Sequence, residues 1–174
     1  MDHGARVDLT DLEKHLQASL DGKQAVYAVV AIIGSTEEGC VDPLRHILAL
    51  RDKFQAQGLS FVVHADAAWG GYFASMLPRG FHPGDIVKLP TERGHSNSFV
   101  PDASLRADTQ EDLYALRYAD SITVDPHKAG YIPYPGGGLC YRDERMRYLV
   151  TWTSPYISRD GNTTSIGVYG VEGR

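Results

Sequence analysis

One near-continuous apolar run, rich in Val and Ile, most constrains how this 174-residue chain can fold. The run is "QAVYAVVAIIGST", residues 24–36, and it stays apolar until a glycine, a serine and a threonine end it. Strands that are covered on both faces have this composition, whereas half-exposed strands alternate apolar and polar residues. Two later stretches, 59–68 ("LSFVVHADAA") and 121–128 ("SITVDPHK"), also pass from apolar residues into polar ones. We therefore predict three buried strands.

Helical patterns separate these strands. A first helix is predicted after Asp8 or Thr10, which are good capping residues, and it should end at Gly22. Its apolar stripe consists of leucines at helical spacing: Leu9, Leu12, Leu16 and Leu20. A second helix is predicted with Asp42 as its N-cap, Pro43 in its first turn and Gly58 after its end.

The alternation continues to the end of the chain. A third helix is predicted over 108–120, a fourth strand over 137–143 and a further helix over 143–152. This order predicts an α/β fold with a mostly parallel sheet flanked by helices on both faces. The polar stretch 79–108 is long for a loop, and it is interpreted either as a functional segment or as a variable insertion.

Composition excludes several classes of protein. The net charge is −5 and no basic stripe is present, which argues against a nucleic-acid partner. The two cysteines lack metal-ligand spacing, so neither a disulfide framework nor a cysteine metal site is predicted. No apolar run reaches the length of a membrane span, and the N-terminus lacks an apolar leader. A cytoplasmic location without membrane attachment is therefore predicted.

Polar residues follow each of the three predicted strands. Ser35 and Thr36 end the first strand, His64 and Asp66 lie at the end of the second, and 125–128 ("DPHK") ends the third. Ligands of open α/β sheets bind beyond the carboxyl ends of the strands. The sequence therefore predicts that these side chains gather in one site.

Each of these residues has more than one interpretation. Lys128 is either a solvated surface cation or an amine that forms a Schiff base with an aldehyde. Pyridoxal phosphate needs such a lysine, a carboxylate for its ring nitrogen and donors for its phosphate. Asp66 is that carboxylate or a turn residue, and Ser35 is a cofactor ligand or a turn residue. His127 is a further donor. His64 is interpreted as a hydrogen-bonded strand histidine rather than a metal ligand, because no third ligand has suitable spacing.

Two stretches resemble a known family. "VVHADAAWGG", residues 62–71, and "ADSITVDPHKAGYIPYPGGG", residues 119–138, resemble the group II amino-acid decarboxylases that use pyridoxal phosphate. That family carries H-x-D-A-A-x-x-G and [ND]-P-H-K in this order. Its bacterial tyrosine decarboxylase branch is the nearest that we identify. The resemblance extends from about Thr10 to Arg174, and it implies the large domain of a fold-type I pyridoxal-phosphate-dependent transferase fold.

The resemblance also implies roles for five residues. Lys128 would be the catalytic residue and would carry the cofactor as an internal aldimine. Asp66 would pair with the ring nitrogen, and Ala68 would pack against one face of the ring. Ser35 and His127 would contact cofactor oxygens, His127 at the phosphate. The implied reaction is decarboxylation of an L-amino acid, with an aromatic substrate such as tyrosine indicated by the nearest branch, in an enzyme that acts as a homodimer.

The chain also departs from the family. Family members are usually much longer, and neither a Ser/Gly-rich phosphate cup nor a C-terminal small domain is recognisable here. We therefore interpret residues 1–174 as a central part of the pyridoxal-phosphate-binding large domain. The alternative is a catalytically inactive, truncated fragment that acts only as an interaction module or is an unstable remnant.

Overall fold

The computed structural model describes residues 1–85, 105–133, 136–149, 151–152 and 168–169. Most of the predicted loop at 79–108 lies outside these ranges. The α-helices are α1 (Leu9–Asp21), α2 (Leu44–Gln55) and α3 (Ala107–Ala115). The strands are β1 (Ala28–Ile32), β2 (Val62–Asp66), β3 (Ser121–Val124), β4 (Gly138–Tyr141), β5 (Thr151–Trp152) and β6 (Val168–Tyr169). Short 3₁₀ helices cover Gly70–Met76, Leu116–Tyr118 and Glu144–Leu149.

The sheet that positions the site has the order β1-β2-β3-β4. The first three strands run parallel, and β4 pairs antiparallel with β3. In the register of this sheet, Asp66 at the end of β2 lies between Ile32 of β1 and Thr123 of β3. The prediction of a mostly parallel sheet with flanking helices is confirmed.

The hydrophobic core lies between the sheet and the three α-helices. Side chains from each helix meet the alternate residues of β1 and β2 that face them, and all are buried: Leu16, Ile47, Phe54, Leu113, Ala31, Val63 and Ala65. Burial of one large aliphatic or aromatic side chain contributes about 1.5–3 kcal/mol. This one-sided packing holds the strands, and with them the residues at their carboxyl ends.

The opposite face of the sheet is uncovered by the part of the chain that the structure describes. Val30 and Ile32 of β1 are 53% and 37% exposed, and Leu139 of β4 is 52% exposed. We call this surface the open face. The prediction that the strands are buried on both faces is therefore wrong for the described residues. The apolar composition of β1 shows only that its residues are suited to burial. Whether they are buried depends on which other segments pack against the strand.

The predicted cap of α1 is confirmed and that of α2 is wrong. Asp8 accepts hydrogen bonds from the backbone N–H groups of Thr10 and Asp11, at 2.9 and 3.2 Å. Asp42 does not cap α2 with its side chain. Its two carboxylate oxygens accept the N–H groups of Val7 and Ile32, both at 2.7 Å, and so join the segment before α1 to β1.

Three predicted helices end differently in the structure. The third, predicted over 108–120, ends as an α-helix at Ala115 and continues as a 3₁₀ helix over Leu116–Tyr118. α2 ends at Gln55, three residues before Gly58, and the predicted last helix is a 3₁₀ helix followed by β5. This 3₁₀ helix begins with a hydrogen bond from the Met146 N–H to the Asp143 carbonyl, at 3.0 Å. The Asp143 side chain also accepts the Arg145 N–H, at 2.9 Å. These local bonds favour a short 3₁₀ turn over an α-helix.

A buried carboxylate from α3 supports the start of α2. Asp112 is 2% exposed, and its side chain accepts the backbone N–H of Arg45 at 3.1 Å. Burial raises the pKa of Asp112 to about 6, although the hydrogen bond and the charge of Arg45 act in the opposite direction. Folding therefore favours the protonated carboxyl.

Replacing Asp112 with asparagine is expected to stabilise the protein relative to wild type, and this difference should grow as the pH rises. The folded-state pKa of about 6 lies above the ordinary 3.8, so the contribution of Asp112 is complete below pH 4 and is lost as the pH rises through 6. Asparagine keeps an acceptor for Arg45 and does not ionise. Urea unfolding should show Asp112→Asn gaining about 1–3 kcal/mol relative to wild type between pH 4 and pH 7.5. An equal difference at both pH values would contradict this account.

Candidate active site

The structure brings the three polar strand ends to one edge of the sheet, as the sequence predicts. β1, β2 and β3 are parallel neighbours, so their carboxyl ends lie side by side. The loops that follow β2 and β3 are also bonded to each other. The Ala67 N–H donates to the Thr123 carbonyl at 3.0 Å, and the Asp125 N–H donates to the Ala68 carbonyl at 3.3 Å. The "HADAA" and "DPHK" motifs therefore form one continuous surface.

A glycine allows the loop after β2 to cross the end of β1. The Gly70 N–H donates to the Ile33 carbonyl at 2.9 Å. A Cβ atom on Gly70 would lie 2.1 Å from that carbonyl oxygen. Gly34 faces the same crossing with φ +92°, a conformation that glycine adopts readily. This close backbone approach places Trp69 beside the Ser35 turn.

Asp66 projects from the last position of β2. One carboxylate oxygen accepts the Ala68 N–H at 3.2 Å, which is the turn contact that the sequence allows. Among the described residues, the other oxygen accepts no hydrogen bond from the protein. Asp66 therefore combines a fixed position with an oxygen available to a ligand.

Lys128 lies in the turn after β3. Its Nζ forms an ion pair with Asp125 Oδ2 at 2.8 Å, and it lies 5.6 Å from the centroid of the Trp69 ring. The lysine side chain is 26% exposed, so it is not a fully solvated surface cation. The Lys128 N–H donates to the Asp125 carbonyl at 3.0 Å, which closes the turn that presents the amine.

The other predicted cofactor ligands occupy defined positions nearby. The His127 Nδ1 forms a hydrogen bond with the carbonyl of Gly136, which lies just before β4, and this bond orients the imidazole ring. The Ser35 hydroxyl lies 3.0 Å from Glu38 Oε2 and accepts the Cys40 N–H at 3.1 Å. Ser35 therefore serves as a turn residue in this structure, and its contact with a cofactor stays a prediction, as do the roles of His127 and Ala68.

His64 is hydrogen-bonded through both ring nitrogens, as interpreted from the sequence. Nδ1 lies 2.8 Å from the Ser121 hydroxyl, and Nε2 lies 3.0 Å from the Thr123 hydroxyl. A search of the described residues finds no group of three potential metal ligands.

A cleft of about 400 Å³ lies beside the strand ends, between the Ser35 turn and α3. Trp69 and Phe73 supply its aromatic wall, and Leu113 of α3 forms its opposite side. No role was predicted for Trp69 from the sequence. Its position after "HADAA", in the segment that crosses β1, was the available signal.

The residues at this edge fit pyridoxal phosphate. Lys128 provides the primary amine that the aldehyde of this cofactor needs, and Asp66 keeps an oxygen accessible for a protonated ring nitrogen. Between them, the bonded loops carry Ala68, whose side chain is a single methyl group. The donor set therefore agrees in kind with the chemistry of the cofactor.

Comparisons with known proteins agree with the geometry. A curated L-tyrosine decarboxylase of Enterococcus faecalis is 34% identical over 99% of this chain and 28% of its own length. An aspartate 1-decarboxylase of Aliivibrio fischeri is 29% identical over 99% of this chain and 25% of its own length. The solved structure of Oryza sativa TDC with PLP and tryptamine has a TM-score of 0.60 and 20% identity, over 90% of this chain and 25% of that chain. No family model matches the chain.

The fold is similar to part of the fold of fold-type I pyridoxal-phosphate-dependent decarboxylases. Over almost its whole length the chain is similar to curated L-tyrosine decarboxylases of three bacteria. It spans about 28% of the length of these curated relatives. Within the described residues, no helix combines the length and apolarity needed to cross a membrane.

Proposed function

We propose that this chain forms the cofactor-binding centre of an enzyme that decarboxylates an L-amino acid with pyridoxal phosphate. The observation that carries the proposal is the junction of two strand ends. One carboxylate oxygen of Asp66, after β2, has no protein donor among the described residues, and Lys128 presents an amine after β3. The Asp125–Ala68 backbone bond joins the two loops. Bound pyridoxal phosphate supplies an electron sink when the α-carboxylate leaves as carbon dioxide.

Five residues of the chain would hold different parts of the cofactor. Lys128 would hold the aldehyde carbon of the cofactor through its amine, with release of water, once the amine has left Asp125 and lost a proton. Asp66 holds the proton on the ring nitrogen, because a carboxylate stabilises a neighbouring positive charge. Ala68 packs against the ring, while His127 and Ser35 bind cofactor oxygens, His127 at the phosphate. Ser35 must exchange a bond within its own turn to do so.

An aromatic L-amino acid such as tyrosine is the proposed substrate. The support is the 34% identity to L-tyrosine decarboxylases of three bacteria across 97–99% of the chain. Aspartate is the competing substrate, because an aspartate 1-decarboxylase is also similar over 99% of the chain. Carbon dioxide release from L-tyrosine and from L-aspartate, measured side by side, distinguishes them.

We propose further that residues 1–174 form part of a large domain, without the phosphate cup and the small domain, in an enzyme that acts as a homodimer. Exposed aromatic side chains beside the site support an interface there: Trp69, Tyr72, Phe73 and Tyr131 are each at least 36% exposed. The absence of nucleic-acid and membrane partners, like the cytoplasmic location, stays a prediction from the sequence.

Borohydride trapping tests the proposed cofactor site. The chain has five lysines, so the other four (Lys14, Lys23, Lys53 and Lys88) act as internal controls for unspecific reaction. We expect peptide mass mapping after incubation with pyridoxal phosphate and reduction to locate the label on Lys128 at concentrations that leave the other four unmodified. Lys128→Arg keeps a positive charge beside Asp125 and should abolish the label. Equal labelling of all five lysines would refute the site.

A second candidate is a folded but catalytically inactive fragment. The exposed apolar residues of the open face, Val30 and Ile32, favour it, because such a surface normally packs against further protein. Specific labelling of Lys128 without carbon dioxide release would support this alternative for the isolated chain, while leaving the cofactor site in place.

A further inference from the structure

Three hydrogen-bonded side chains lie in a row on the open face, next to the proposed cofactor site. His64 of β2 is held between Ser121 and Thr123 of β3, at 2.8 and 3.0 Å. A hydroxyl can donate or accept, so both contacts can form with either neutral tautomer of the imidazole. The ring therefore joins β2 to β3 through side chains, in addition to the backbone pairing of the strands.

This row of hydrogen-bonded side chains ends beside Asp66. His64 and Asp66 are two residues apart on β2, so their side chains leave the same face of the sheet. Ser121 is the cross-strand partner of His64, and Thr123 is the cross-strand partner of Asp66. His64 therefore bonds its own partner and, diagonally, the partner of Asp66.

The arrangement restricts where the Asp66 carboxylate can lie. His64 occupies the space towards the start of β2, and its bond fixes the Thr123 side chain on the flank of Asp66. The carboxylate lies towards the carboxyl end of the strand, where it accepts the Ala68 N–H at 3.2 Å. The Lys128 turn is bonded to that same residue, Ala68, through Asp125.

We propose that His64 is a positioning residue that acts through Thr123 and holds the Asp66 carboxylate at the strand end. Its purpose, which is to aim Asp66 at the cofactor ring nitrogen, rests on the proposed function. The positioning itself can be measured without any cofactor, since two backbone amides report on it separately.

Amide hydrogen exchange at Ala68 and Ala67 is the test. The Ala68 N–H donates to the Asp66 carboxylate. The Ala67 N–H is shared between the carbonyls of Thr123 and Ala65, so it reports the pairing of β2 with β3 and not the Asp66 side chain. We expect His64→Ala and Thr123→Val to speed exchange at Ala68 about tenfold, and to change Ala67 less than about twofold. Thr123→Ser keeps the hydroxyl and should match wild type at both amides.

Two results would overturn the proposal. Parallel acceleration at Ala67 and Ala68 would mean that His64 only holds the strands together, and unchanged exchange at Ala68 would mean that it has no hold on Asp66. If His64→Ala does not fold, the matched pair Thr123→Val and Thr123→Ser decides between the same outcomes.

A cofactor readout separates this proposal from the proposed function. His64→Ala and Thr123→Val should raise the pyridoxal phosphate concentration needed for half-maximal labelling of Lys128, and Thr123→Ser should not. If the wild-type chain takes no specific label on Lys128, the proposed function fails, while the exchange rate at Ala68 still decides the positioning role of His64.

Discussion

Replacing Asp66 with asparagine is expected to weaken the retention of pyridoxal phosphate about a hundredfold. A charged hydrogen bond to a protonated ring nitrogen is worth about 3 kcal/mol, and a neutral amide does not provide it. Asparagine still offers an oxygen to the Ala68 N–H, so the local turn should persist. The measurement is the cofactor concentration that gives half-maximal, borohydride-fixed labelling of Lys128.

The exchange rate of the Ala68 amide is the internal control for this variant. We expect Asp66→Asn to leave that amide protected, since its acceptor remains, while labelling is lost. Asp21→Asn removes a carboxylate from the exposed end of α1 and should change neither quantity. Unaltered labelling of Lys128 in Asp66→Asn would exclude Asp66 as the partner of the ring nitrogen.

Gly70→Ala is expected to destabilise the fold by at least about 3 kcal/mol and to abolish labelling of Lys128. The added Cβ would lie 2.1 Å from the Ile33 carbonyl oxygen, so the backbone of β1 and the loop after β2 must separate. A rotamer change cannot relieve a contact between a Cβ and backbone. The separation would displace Trp69 and the turn that holds Asp66.

Urea unfolding of Gly70→Ala and Gly137→Ala measures this effect. A Cβ at Gly137 would lie 3.4 Å from the Asp125 side chain, which is ordinary van der Waals contact. We expect this control to stay within about 0.5 kcal/mol of wild type. Similar unfolding midpoints for the two variants would show that the crossing at Gly70 tolerates a side chain.

Local pattern predicted the elements of the fold and the positions of the central site residues. The leucine spacing and Asp8 predicted α1, and the apolar runs predicted the first three strands. Asp66 and Lys128 were located at strand ends because each follows a β-branched or apolar run directly. These predictions depend on neighbours within a few residues, so the sequence contains the information that they need.

Predictions that depend on which of several partners a polar side chain bonds were less successful. Asp42 stands where a helix cap belongs, but its carboxylate binds Val7 and Ile32, whose amides reach it only through tertiary packing. The 143–152 segment has a helical composition, yet local bonds at Asp143 favour a 3₁₀ turn. Ser35 occupies the turn position that the sequence allows, bonded to Glu38 and Cys40, and its contact with a cofactor stays a prediction.

The alternation of strands and helices, the Asp8 cap of α1 and the strand ends that carry Asp66 and Lys128 could all be predicted from local sequence patterns. Tertiary packing sets the antiparallel direction of β4, the open face and the pairing of Lys128 with Asp125. It also decided the hold of Ser121 and Thr123 on His64. The physical reason is range: periodicity and capping act over a few residues, whereas burial and side-chain pairing depend on which segments the folded chain brings together.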